Sequence, residues 1–172
     1  AVAAIARSHS DPEVRERAIA LLWESDDRDV GQKLATLVSN DPGPGVRAAA
    51  AAGLKPFVDA YVVERLPNDA GEAILAALRK ALDDEDIDVR TKAIESIGAF
   101  GEPWVGERIL EAFESDDQRL RVAAIRAMGN SGLDRWEEYL ESEFSSGDEE
   151  MRFEAVVAAG NLGSPLLVEP LG

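Results

Sequence analysis

Three registers of residues recur along this 172-residue chain at one fixed step. Arg90, Arg121 and Arg152 stand 31 residues apart, and the same step relates Gly98, Gly129 and Gly160, then Gly101, Gly132 and Gly163. Upstream, Arg15 and Arg47 are 32 apart, and the 43 residues from Arg47 to Arg90 leave room for an insertion in one linker. The chain therefore reads as five related units, none of which can bury its apolar face alone; neighbours must stack to make a continuous core.

Alignment on the arginine shows what each unit is. One residue before it stand Val14, Val46, Val89, Leu120 and Met151; three after it, Ala18, Ala50, Ala93, Ala124 and Ala155; four after it, Ile19, Ala51, Ile94, Ile125 and Val156; seven after it, Leu22, Leu54, Ile97, Met128 and Ala159. These offsets share one face of a helix with 3.6 residues per turn, and the alanine puts a small residue where backbones approach closest. Asp11, Asp86, Asp117 and Asp148, four residues before the arginine, are placed to accept the free amide hydrogens of the first turn, and Pro12 follows Asp11 where a missing N–H costs nothing. In the second unit, Gly43-Pro44 takes that place with a weaker cap. A second periodic segment precedes each such helix: Leu34, Leu37 and Val38; Ile74, Leu75, Leu78 and Leu82; Val105, Ile109, Leu110 and Phe113; Trp136, Leu140 and Phe144. Helices therefore come in pairs. Gly98, Gly129 and Gly160 are expected to take the left-handed conformation that stops the second helix. No alternating β-branched run competes, so the fold class is all-α.

The strings DPEVRERAIALL, DIDVRTKAIESIGAFG, DQRLRVAAIRAMGNSG and DEEMRFEAVVAAGNLG resemble the second helix of HEAT repeats, closest to the prokaryotic HEAT-like type also found in phycobilisome lyases. The resemblance implies a right-handed α-α superhelix, a solenoid of about five HEAT-like helix pairs, with first helices on the convex face and second helices lining the concave one. The expected organisation is a single solenoid over 1–172 with repeats at about 1–25, 26–54, 55–100, 101–131 and 132–163 and the start of a further repeat at 164–172. Residues 55–70 form the insertion; Tyr61, Val62, Val63 and Leu66, bounded by Pro56 and Pro67, suggest a short extra helix there. Neither end reads as a polar capping repeat, so a segment of a longer protein is expected.

Charge and missing residue types narrow the function. Eighteen Lys and Arg against 34 Asp and Glu leave a net charge of −16, which repels phosphate backbones and anionic lipid, so nucleic acid and membrane partners are not expected. The longest apolar stretch, Ala48 to Leu54, is too short to span a bilayer, no signal peptide is visible, and the expected location is cytoplasmic. Cysteine is absent and His9 is the only histidine, so neither a thiolate nucleophile nor a Ser-His-Asp set nor a histidine metal site is expected, and with them no catalytic residue, metal or cofactor. Asp26-Asp27, Asp83 to Asp86, Asp116-Asp117 and Asp148 to Glu150 read as complements of helix N-termini rather than calcium ligands; after Asp84, Asp86 and Asp88 no glycine marks a calcium-loop turn. Trp23, Trp104 and Trp136 fall at helix ends, where rings fill gaps between repeats. Lysine occurs only at Lys33, Lys55, Lys80 and Lys92 on an otherwise carboxylate-rich chain, a balance suited to high salt.

The resemblance also implies roles for the arginine row. Asp11, Arg15, Arg47, Asp86, Arg90, Asp117, Arg121, Asp148 and Arg152 are expected to form a structural Asp/Arg ladder between units. Positions one and five after the arginine would point into the concavity: Glu16 and Ala20, Ala48 and Ala52, Thr91 and Glu95, Val122 and Arg126, Phe153 and Val157. Thr91, Glu95, Val122, Arg126, Phe153 and Val157 form the candidate partner-binding face, with Val122, Phe153 and Val157 an apolar strip flanked by Arg126. The expected function is noncatalytic binding of a protein partner bearing a basic segment. The alternatives are an accessory module similar to phycobilisome-lyase HEAT-like proteins and a regulatory segment of a larger multidomain protein.

Overall fold

The computed structural model describes residues 2–22 and 28–163. Trp23, Asp26-Asp27 and the further repeat expected at 164–172 lie outside the described residues. All regular structure among the described residues is helical: α1 (Val2–Ser8), α2 (Pro12–Ala20), α3 (Arg28–Asn40), α4 (Pro44–Gly53), α5 (Lys55–Val62), α6 (Asn68–Ala81), α7 (Ile87–Ile97), α8 (Pro103–Phe113), α9 (Gln118–Asn130), α10 (Glu137–Glu143) and α11 (Glu149–Leu162). A 3-10 turn at Asp134–Trp136 leads into α10. The helices group into two compact units, Ala1–Ile97 and Gly98–Gly172.

In the first unit like packs on like. The first helices α1, α3 and α6 contact in succession, the second helices α2, α4 and α7 do the same, and each first helix also packs on its own second helix. In the second unit α8 packs on α9, α9 on α11, and α10 on α11. The alanine three after each arginine explains the spacing of the second helices: Ala18, Ala50, Ala93, Ala124 and Ala155 are all buried, and a larger side chain there would force the neighbouring helix away. Ile19, Ala51, Ile94 and Ile125, one residue further on, are buried too, and Ser96 in the same layer donates its hydroxyl to the Ala51 carbonyl at 2.9 Å, so its burial leaves no polar group unmatched.

Aspartates start the second helices as their position predicts. Asp11 accepts the Glu13 amide at 2.9 Å, Asp86 the Asp88 amide at 2.9 Å, Asp117 the Arg119 amide at 2.9 Å and Asp148 the Met151 amide at 3.1 Å. Gly43, which has no side chain to cap with, begins α4, and there Asp41 accepts the Gly43 amide at 2.9 Å.

The glycines divide their work differently from the expectation. Gly129 and Gly160 lie inside α9 and α11, and Gly98 follows α7 directly. A methyl on Gly98 would come within 2.5 Å of the Ala127 carbonyl oxygen, and one on Gly129 within 2.5 Å of the Ala158 Cα, so both serve close packing of backbones. The left-handed stop belongs to the register three residues later, where Gly132 has φ 67° and Gly163 φ 69°. The insertion does form a helix, α5, which packs on α6 and α7. Its anchors are Phe57 and Val58, both buried, whereas Val62 and Val63 are exposed.

Candidate functional site

The arginine row is built by the loops before the second helices. Arg15 reaches across to Asp41 with two parallel hydrogen bonds, Nε to Oδ2 at 2.9 Å and Nη2 to Oδ1 at 2.8 Å, and both groups are buried. Arg47 holds Asp84 the same way, with both bonds at 2.8 Å. This fork-on-carboxylate geometry is the strong form of the ion pair, since each charge is met by two directed bonds. The third nitrogen, Nη1, turns back on its own loop in both rungs, Arg15 to the carbonyls of His9 and Ser10 and Arg47 to those of Asp41 and Pro42, and Arg90 Nη1 does the same to Asp84 and Glu85. The bonds to Asp41 hold the Arg15 guanidinium more firmly protonated than usual, against the opposing effect of burial, and Asp84 does the same for Arg47.

These partners correct the expected ladder. Asp11, Asp86, Asp117 and Asp148 spend an oxygen on capping, and Asp117 pairs sideways with Arg119 at 3.0 Å, an interaction that lowers its pKa. The rungs fall instead to Asp41 and Asp84, three residues before the first residue of α4 and α7, where each carboxylate accepts a local amide and the arginine of the preceding repeat together. A signal was available: Asp41 and Asp84 are 43 apart, the same step as Arg47 to Arg90. In the second unit the corresponding residues are Ser115 and Ser146. There, among the described residues, Arg121 bonds only the carbonyls of Ser115 and Asp116, and Arg152 only that of Ser146.

Asp84, Asp86 and Asp88, which alternate as calcium ligands would, are thus committed in part to a rung and a cap. Among the described residues, no group of three or more His, Asp or Glu side chains comes together as metal ligands. A surface pocket of about 490 Å³ lies beside the second rung, bordered by Arg47, Lys80, Asp83, Asp84 and Glu85, with Lys80 Nζ donating to the Ser39 carbonyl at 2.7 Å.

The residues expected on the binding face separate into two groups. Thr91 and Glu95, on α7 of the first unit, are half-buried; the Thr91 hydroxyl donates to the Ile87 carbonyl and Glu95 pairs with Lys92 at 2.8 Å. The other four lie on α9 and α11 of the second unit. Val122 is buried, so it belongs to the core and not to an open strip. Arg126 is held by Glu154 through two bonds, Nε to Oε2 at 3.0 Å and Nη2 to Oε1 at 2.5 Å, and joins α9 to α11 instead of standing free. Phe153 and Val157 are 65% and 42% exposed, and Val156, expected in the core, joins them at 46%. Together they make an exposed apolar face one turn long on α11.

Among the described residues, no helix is long and apolar enough to cross a membrane. Comparison with known proteins matches a family model described as HEAT repeats to residues 1–66 and one described as HEAT repeat to residues 74–102, together more than half of the chain. Among solved structures, the chain is similar to the designed armadillo repeat protein YIII(Dq)4CqI at 20% identity and TM-score 0.59, over 94% of this chain and 80% of that one. The designed armadillo repeat protein YIII(Dq.V1)4CPAF, solved in complex with the peptide (KR)4, is 17% identical over 94% of this chain and 80% of its own, with TM-score 0.55. An engineered protein of known crystal structure is 20% identical over 95% and 79%, also at 0.55. These likenesses place the fold in the all-α solenoid class. No curated protein matches the chain.

Proposed function

This chain belongs to the HEAT-repeat family, and from that premise we propose that it is a noncatalytic scaffold that holds a protein partner against the second helices. The observation that carries the reading is the exposed face of α11: Phe153, Val156 and Val157 leave water-facing a strip of ring and branched aliphatic surface on a chain that is otherwise heavily charged. An apolar stripe of that kind suits the apolar side of an amphipathic helix, and Phe153, the largest and most exposed of the three, is the anchor. The net charge of −16 favours a partner segment rich in Lys and Arg. A chain of similar fold, the designed armadillo protein, is solved with a peptide of that charge class, (KR)4, which supports the same choice here.

The test is a titration of a fluorescent amphipathic peptide of leucine and lysine into the wild type and into the Phe153→Ala, Val157→Ala double variant. The wild type is expected to bind at low salt and more weakly as salt rises, and the variant to bind at least roughly tenfold more weakly. Equal affinity of the two proteins would remove the α11 face from the reading, and a wild type that binds nothing would overturn the scaffold itself.

A further inference from the structure

Asp41 and Asp84 define what a filled rung looks like. One carboxylate oxygen of each accepts the amide two residues on, Gly43 or Asp86, at 2.9 Å. The carboxylate as a whole is held by Nε and Nη2 of an arginine from the preceding repeat, and the arginine six residues on bonds its carbonyl, Arg47 to Asp41 at 3.0 Å and Arg90 to Asp84 at 2.6 Å. Ser146 reproduces every part of this arrangement but one. Its hydroxyl accepts the Asp148 amide at 3.4 Å, Arg152 donates to its carbonyl at 2.7 Å, and the first turns of α9 and α11 are tied by Gln118 to Glu150 at 3.0 Å. The missing part is the anion. Arg121, the counterpart of Arg15 and Arg47, uses Nη1 on its own loop, while its Nε and Nη2 have no partner among the described residues. The side chain is half-buried and solvent still reaches the fork, so an anion can approach it from outside the chain.

We propose that the Nε and Nη2 fork of Arg121, whose counterpart in the repeat register is Ser146, is an oxyanion site that takes a carboxylate or phosphate group from outside the chain, in the slot that an aspartate fills in the first unit. Two parallel N–H donors match two oxygens of either group, and Arg152 and the N-terminus of α11 add positive potential at the same loop. Asp116, Asp117, Asp148 and Glu150 oppose it. The same opposition surrounds Asp84, from Asp83, Glu85 and Asp86, without preventing that rung from forming.

The experiment follows the side-chain Nε–Hε resonance of Arg121 by NMR, assigned by its loss in Arg121→Lys, while inorganic phosphate or acetate is added at constant ionic strength. In the wild type the resonance is expected to shift and saturate. In Ser146→Asp, where the chain supplies its own carboxylate, it is expected to be displaced before any addition and to respond at least roughly tenfold less. Saturation with phosphate alone identifies a phosphoryl group as the occupant, and saturation with acetate as well admits carboxylates. A wild-type Arg121 resonance that moves with neither ion, or a Ser146→Asp protein that titrates as the wild type does, would overturn the proposal. The proposal is independent of the scaffold reading, since the peptide titration reads the α11 face and this one reads a single guanidinium.

Discussion

Asp84 is pulled in two directions. Partial burial pushes its pKa up, but the hydrogen bonds from Arg47 and from the Asp86 amide, with the charges of Arg47 and Arg90, outweigh it and leave the group below its ordinary value of 3.8. A carboxylate whose folded pKa is depressed stabilises the fold above its unfolded pKa, and that contribution disappears as pH falls from about 3.8 through the lowered value. Asp84→Asn keeps the turn acceptor and the shape while losing the charge. With partial exposure allowed for, it is expected to cost about 1–2 kcal/mol at pH 7. In urea unfolding the gap between variant and wild type should close as the pH is taken well below 3.8, where the wild type has lost the same charge. The capping aspartates were legible in the sequence because a cap acts within its own helix, on amides two or three residues away. The step from Asp41 to Asp84 marks them as one register but not as rungs, because what makes them rungs is the position of an arginine on another repeat, and that is set by how the loop turns.

Within single elements the glycines show the same division. Gly129 in α9 is pressed against the backbone of α11, and Gly132 at the end of α9 has open space around its Cα but a φ of 67°. The two Gly→Ala changes are chemically identical and act by different mechanisms. Gly129→Ala must push helices apart and is expected to destabilise by about 1–3 kcal/mol, whereas Gly132→Ala meets no atom and pays only for a left-handed backbone, about 1 kcal/mol. Thermal unfolding of the pair checks the order; equal losses would mean that α11 yields easily. The element scale also explains the mixed outcome for the binding face. Helical spacing grouped Phe153 and Val157 on one side of α11, where both are exposed, but Val122 at the same register of α9 is buried. A period marks which residues share a face and is silent on whether a neighbour covers it. The phycobilisome-lyase likeness drawn from the motif strings gained nothing from any contact in the structure.

For the whole molecule, 34 acidic against 18 basic residues make self-repulsion a term that salt can tune. Only part of this charge is neutralised in close pairs such as Arg15–Asp41 and Arg47–Asp84. The melting temperature is therefore expected to rise steeply between low and molar sodium chloride, as measured by circular dichroism, and a flat dependence would remove the reading of a chain suited to high salt. Length and periodicity alone determined that the chain is a stack of helix pairs, where each second helix starts, and which alanines are buried, since these follow from the geometry of one helix and its own caps. The tertiary structure decided which carboxylate meets each arginine, which glycine lets backbones touch and which stops a helix, and whether an apolar residue is core or surface. Those outcomes depend on distances between chains of atoms far apart in sequence, where an approach of 2.5 Å or a loop turned by two residues changes the partner, and no spacing along a single strand of residues encodes that distance.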